Sequence, residues 1–334
     1  MMTRNSRLAK LFETITDDLP TIGPILVIRA TGNPAYHAFD PSTLHCTQSF
    51  KPDVDTLERM GLTTHRAIPE NATAAIVELT RSKPENLSNI AKAHAALNLG
   101  ATLYIDGAKT DGIDSILKAV KKLTVIDGSY SKAHGKTIWL TKNQNDNPFQ
   151  NWLGLTDCQK NKDDFWTVPG IFSADAIDPA SAMLCENITQ PLIGKGADLG
   201  AGWGYLGQHA LHEYPKITHI DLYEAEQISL DCAQKNITDA RTDFHWCDIQ
   251  EMPVKPAYDF ILMNPPFHVS RKADPAIGRA FIAKAAKMLT SKGRLWMVAN
   301  KQLPYEACLN DHFNTWDYVK QTNQYKIIHA RRPK

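Results

Sequence analysis

Ala197-Asp198-Leu199-Gly200-Ala201-Gly202-Trp203-Gly204-Tyr205-Leu206-Gly207 decides the fold. A short apolar strand end runs into a glycine-rich turn and then into a helical pattern. Glycine reaches φ > 0 without a Cβ clash and lets backbone come close to a ligand. The opening helix adds unpaired N–H groups. Gly202 to Gly207 also fits G-x-G-x-x-G, a dinucleotide fingerprint that is weak on its own. About twenty residues on, Glu224 ends the next strand pattern, where an acid takes ribose hydroxyls. Asp221 competes for that role but falls within the strand. Asp248 ends a third strand, followed by Ile249. Asp248 is a candidate partner for an adenine amino group, with a turn cap as the plainer alternative.

Downstream, the apolar run Phe260-Ile261-Leu262-Met263 reads as a buried strand. It ends in Asn264-Pro265-Pro266-Phe267, at the carboxyl end where open α/β sheets bind ligands. Asn264 offers a carbonyl acceptor and Pro265 a backbone carbonyl. Together they suit both hydrogens of a planar amine, and Phe267 suits a stacked ring. The alternative is a proline-rich turn with Asn as its turn residue. His268, Arg271 and Lys272 follow as candidate RNA contacts, or as a solvated loop face. Asp198 directly before the glycine turn repels a pyrophosphate but suits an ammonium group or ordered water. That favours S-adenosylmethionine over NAD. An NAD-dependent oxidoreductase would also need an acid–base group where the tetrapeptide supplies none.

Short apolar runs alternate with helical patterns on both sides of a polar stretch, Asn143 to Asp164, that lacks periodicity. The expectation is an α/β protein with two mostly parallel sheets, divided as 1–164 and 165–334. Trp316 to Lys320 and Tyr325 to Ala330 read as an antiparallel C-terminal hairpin, leaving Arg331, Arg332 and Lys334 as a disordered basic tail. Trp296 and Met297 read as core. The order strand, polar loop, helix, Leu-Gly, strand covers Ala75 to Ile105 and recurs from Phe260 to Val298, with Gly100 matched to Gly293. The first copy has Thr80-Arg81-Ser82-Lys83-Pro84-Glu85 in place of the tetrapeptide, so it reads as a copy without chemistry.

A net charge of +1 gives no global footprint for nucleic acid, so RNA must be met by a local patch. The six cysteines form no C-x-x-C pair, which argues against zinc and fits reduced thiols in the cytoplasm. No metal is expected. Met1 to Pro20 reads as an amphipathic helix, not a signal peptide or membrane span.

D-L-G-x-G-x-G with N-P-P-F resembles the class I S-adenosylmethionine-dependent methyltransferases that modify amino nitrogens. Val168-Pro169-Gly170-Ile171-Phe172-Ser173, Asn264 to His268, and Val298-Ala299-Asn300 with Leu303-Pro304-Tyr305 resemble the ribosomal RNA guanine-N2 methyltransferases. That likeness is strong over the second half and extends to the first only in layout. It implies two tandem Rossmann-like methyltransferase domains, the first inactive, and 16S ribosomal RNA as substrate for a monomeric enzyme. It implies catalytic roles for Asn264, Pro265 and Phe267. The implied cofactor contacts are Asp198, Gly200, Ala201, Gly202, Glu224, Asp248, Ile249 and Asn264. The family carries Asp-x-Gly-Ser where this chain has Asp178-Pro179-Ala180-Ser181. A 23S guanine, a DNA adenine, a glutamine amide, or a non-enzymatic RNA-binding role stay open as alternatives.

Overall fold

The computed structural model describes residues 6–266 and 275–334. The chain forms two compact units that divide at Asp157/Cys158. The first unit holds strands β1 (Ile25–Ile28), β2 (Leu44–Thr47), β3 (Thr64–His65), β4 (Ala72–Glu78), β5 (Leu97–Ala108), β6 (Gly128–Lys132) and β7 (Gly135–Thr141). Its sheet order is β3-β2-β1-β4-β5-β7-β6, parallel up to β5 and closed by the antiparallel β6–β7 hairpin. Helices α1 (Ser6–Thr14), α2 (Lys51–Arg59), α3 (Lys83–Ala96) and α4 (Ile113–Val120) accompany it. β1 is buried at every position, as a strand covered on both faces must be.

The second unit begins with a small hairpin, β8 (Gln159–Lys160) and β9 (Trp166–Thr167), followed by α5 (Pro179–Glu186). Pairing of these strands joins residues from Cys158 onward to this unit, seven residues before the boundary read from polarity. Then come β10 (Gly194–Leu199), α6 (Tyr205–Glu213), β11 (Ile217–Glu224), α7 (Gln227–Asn236), β12 (Thr242–Trp246), β13 (Tyr258–Met263), α8 (Pro275–Met288), β14 (Leu289–Asn300), α9 (Glu306–His312), β15 (Phe313–Gln321) and β16 (Tyr325–Pro333). The order β12-β11-β10-β13-β14-β16-β15 repeats the first sheet strand for strand. Trp296 and Met297 are fully buried. The basic C-terminus is not a disordered tail. Arg331 lies in β16, pairs with Arg294 and Thr315 in register, and bonds Asp317.

Register aligns the two sheets residue by residue. Ala74 pairs with Thr102 as Phe260 pairs with Arg294. Gly293 therefore matches Ala101, and the Gly100–Gly293 match is off by one position. Ile28 stands beside Val77 and Thr47, as Leu199 stands beside Met263 and Tyr223. One residue further, Arg29 occupies the place of Gly200, Gln48 that of Glu224, and Glu78 that of Asn264.

Candidate active site

Four strand ends carry the site. Glu224 ends β11, while Asp248, Gly200 and Asn264 follow β12, β10 and β13, and the strands are neighbours in the order β12-β11-β10-β13. β10 has the chain's next strand, β11, on one side and β13 on the other. This is a topological switch point, where α/β sheets open a crevice.

The turn after β10 takes positive φ at Gly200 (75°) and Gly202 (56°). Gly200 and Ala201 each donate a backbone N–H to the Tyr223 carbonyl, at 2.9 and 3.0 Å. A Cβ on Gly202 would meet nothing within 4 Å, so that side of the turn is open. A Cβ on Gly200 would stand 3.9 Å from Pro266, so the turn adjoins the Asn264 loop. This is a cradle that a cofactor can enter.

Glu224 serves the turn as well as any ligand. One carboxylate oxygen accepts from Gly202 N at 2.8 Å, and the other from Ala225 N and Glu226 N, both at 2.8 Å. Burial raises its carboxyl above the ordinary value, against the pull of these three bonds. Asp221 is no rival. It lies 4% exposed within β11 and bonds His245 (2.7 Å), Tyr258 (2.7 Å) and Lys195 (2.8 Å); burial pushes its carboxyl up, and these bonds together outweigh it and hold the carboxyl low.

Asp198 departs from the sequence reading. Its side chain is wholly buried, and Oδ2 accepts from Gly207 N at 3.0 Å. It braces the start of α6 from below and presents no exposed face to an ammonium group. Its Oδ1 has no partner among the described residues, and burial pushes its carboxyl up to about 7. Ile249 also differs: its side chain is 3% exposed and packs in the core with Phe281. Only its backbone can face a ligand. Asp248 is partly exposed, and Oδ1 accepts from Gln250 N at 2.9 Å. The turn-cap role is therefore real, and it occupies one of two oxygens.

Asn264 is half-buried, and its amide is held. Nδ2 donates to Asp178 Oδ2 and to Ser181 Oγ, both at 2.9 Å. Asp178 also caps α5 by accepting from Ser181 N at 2.8 Å. A carboxylate only accepts, so the NH₂ branch faces it and Oδ1 is the branch left for an incoming donor. Sequence reasoning quoted Asp178 and Ser181 but missed this role. Their signal was the Asp-x-x-Ser spacing before a helix, which reads as a cap and conceals the second contact. Pro265 lies buried beside Asn264, whereas Phe267, His268, Arg271 and Lys272 lie outside the described residues. Trp203 is packing: it is 4% exposed and donates Nε1 to the Phe172 carbonyl at 3.0 Å.

The methyltransferase small domain model matches residues 162–329, half of the chain and the whole of this site. The chain belongs to the methyltransferase small domain family. Within it, the chain is 27% identical over 267 residues to ribosomal RNA small subunit methyltransferase C of Psychromonas ingrahamii, covering 76% of this chain and 74% of that one. The protein of the same name from Hahella chejuensis is 26% identical, with 81% of each chain covered. The fold is shared with a solved T. thermophilus 16S rRNA N2 G1207 methyltransferase (RsmC) in complex with AdoMet and guanosine. That match has a TM-score of 0.77 and 20% identity, and covers 97% of this chain and 92% of the other. Both sheets of this family member are thus Rossmann-like, each mostly parallel and closed by an antiparallel hairpin.

Proposed function

We propose that the chain methylates the exocyclic N2 amine of a guanine in 16S ribosomal RNA, using S-adenosylmethionine. The observation that carries this is the anchored Asn264 amide, with its acceptor branch at a strand end that adjoins the open glycine turn. The relatives' names favour a ribosomal RNA guanine over a DNA adenine or a glutamine amide, which the same tetrapeptide would suit.

The residues present fit the cofactor: an open turn at Gly202, a carboxylate at Glu224 and a further oxygen at Asp248. When bound, S-adenosylmethionine supplies an electrophilic methyl group. Glu224 would hold the ribose, and Asp248 the adenine amine. Asn264 Oδ1 and the Pro265 carbonyl accept the two N–H bonds of the guanine amine. That pins the nitrogen, whose lone pair is otherwise delocalised into the ring, in a pyramidal geometry. Phe267 would stack on the base, which leaves its helix at least cost from an unpaired strand. The extra proton passes to water. No metal and no covalent nucleophile is needed.

The first unit serves as a non-catalytic platform. Its equivalent crevice is filled from within. Glu78, in the place of Asn264, accepts from Thr31 Oγ1 (2.7 Å), Asn33 Nδ2 (2.8 Å) and the Tyr36 hydroxyl. Arg29, in the place of Gly200, takes φ of 57° and bonds Gln48 and Glu85. The protein works as a cytoplasmic monomer. Among the described residues no helix is long and apolar enough to cross a membrane. The test is to treat RNA from a strain lacking this gene with the protein and labelled S-adenosylmethionine, then map the modified base. Label on any base other than guanine, or none at all, would overturn the reading.

A further inference from the structure

We infer that Asp178 and Ser181 are positioning residues that fix which way the Asn264 amide faces. The inference rests on the amine-gripping role proposed for Asn264.

A terminal amide has two nearly isosteric orientations. One presents oxygen to the acceptor amine, and the other presents NH₂. The second sets donor against donor and grips nothing. Asn264 needs a reason to choose, and the structure supplies two. Asp178 Oδ2 and Ser181 Oγ both lie 2.9 Å from Nδ2. Flipping the amide would put its oxygen 2.9 Å from a carboxylate oxygen, with no proton between them. The serine hydroxyl tolerates either orientation, but the carboxylate tolerates only one. Asp178 is itself fixed, because the same oxygen caps α5 through Ser181 N, and Ser181 is buried. The orientation of the acceptor is therefore set by the first turn of a helix that precedes the glycine turn in sequence. A carboxylate on Nδ2 also draws electron density through the amide toward Oδ1, which strengthens the acceptor. The small residue between them, Ala180, is 6% exposed and makes no part of this contact. The substitution of alanine for the family's glycine there leaves the clamp intact.

The full-length protein is assayed with 16S rRNA from a strain lacking the gene and tritiated S-adenosylmethionine. Ser181→Ala removes one clamp bond and leaves the Ser181 N–H cap in place. We expect kcat to fall about tenfold, with cofactor affinity within about twofold of wild type. Ser181→Thr keeps the hydroxyl oxygen and should recover to within about threefold. Asp178→Asn keeps a carbonyl acceptor but loses the group that forbids the flipped amide, so it should fall further, about thirtyfold, and it carries the test if Ser181→Ala folds poorly. The deciding measurement is a double-mutant cycle. In an Asn264→Ala background, Ser181→Ala should cost less than about twofold, because no amide remains to orient. Unchanged kcat in both Ser181→Ala and Asp178→Asn would overturn the positioning role, as would losses that multiply fully in the Asn264→Ala background. Wild-type turnover by Asn264→Ala alone would instead remove the amine-gripping role, and this inference with it.

Discussion

Replacing Asn264 with aspartate probes the site more sharply than removing the side chain. Asn264→Ala deletes one directed acceptor at the transition state, a loss of roughly 3 kcal/mol or a hundredfold or more in kcat. Cofactor affinity should stay within a few-fold, since Glu224 and the turn are untouched. Asn264→Asp keeps the shape but sets a carboxylate where the amide nitrogen stood, 2.9 Å from Asp178 Oδ2. Two unit charges at that separation repel by roughly 6 kcal/mol at an effective dielectric of 20. Both positions are half-exposed, so solvent screening reduces this to a few kcal/mol. The pair relieves it by sharing one proton, as close carboxylates do. The protonated form donates to Asp178 and keeps its other oxygen as an acceptor. Activity of this variant should therefore be partial at acidic pH and fall as the pair loses its shared proton. Wild type should show no such fall. The assay is single-turnover methylation of 16S rRNA from pH 5.5 to 8.5 for wild type and both variants. A pH profile for Asn264→Asp that parallels wild type would refute the contact with Asp178. More than about a tenth of wild-type turnover by Asn264→Ala would refute the assigned grip.

Glu224→Ala should weaken S-adenosylmethionine binding about tenfold or more, since a charge-assisted bond to ribose contributes roughly 1.5–3 kcal/mol; calorimetry showing equal affinity would place the ribose elsewhere. Asp198 has a carboxyl pushed from 3.8 up to about 7 by burial, so between those values the folded chain binds the proton and the unfolded chain does not. Stability contributed by this group therefore falls as pH rises through that window, by up to about 1.4 kcal/mol per pH unit. Asp198→Asn should flatten that slope in urea titrations at pH 5, 6 and 7.5, and an unchanged slope would assign it to other groups. A fragment beginning at Cys158 should bind S-adenosylmethionine yet lose most activity on RNA, because a near-neutral catalytic half holds phosphates poorly alone. Full RNA activity in the fragment would end the platform role of the first unit. Starting instead at Asp164 would cut β8 from its partner β9 and should cost solubility.

The strands flanking the site were legible because doubly covered strands are short unbroken apolar runs: Phe260 to Met263 and Ala197 to Leu199 lie within β13 and β10. Short strands such as Leu44–Thr47 and Gly128–Lys132 were not, since polar or glycine residues dilute their pattern. The place of Glu224 at the end of β11 was legible from its spacing from the turn. Its bonds to Gly202, Ala225 and Glu226 were not, because a residue's type does not reveal which backbone it caps. Asp198 was read as a ligand contact from its place in the motif, while its burial depends on α6 packing over it. The Asp178–Asn264 contact spans 86 residues, and no local pattern encodes it.

Gln48 ties off the end of β2 as Glu224 ties off the end of β11. Its Oε1 accepts from Ser49 N (2.9 Å) and Phe50 N (3.0 Å), the two bonds that Glu224 Oε1 takes from Ala225 and Glu226. The other branch differs: Gln48 Nε2 donates to the Ala30 carbonyl at 2.7 Å, whereas Glu224 Oε2 accepts from Gly202 N at 2.8 Å. One position thus ties off a strand end in both sheets, and only in the second does it also carry a charge. Architecture at this position is therefore separable from charge: the two backbone bonds need only a side-chain oxygen, and the carboxylate is capacity beyond what the strand end requires.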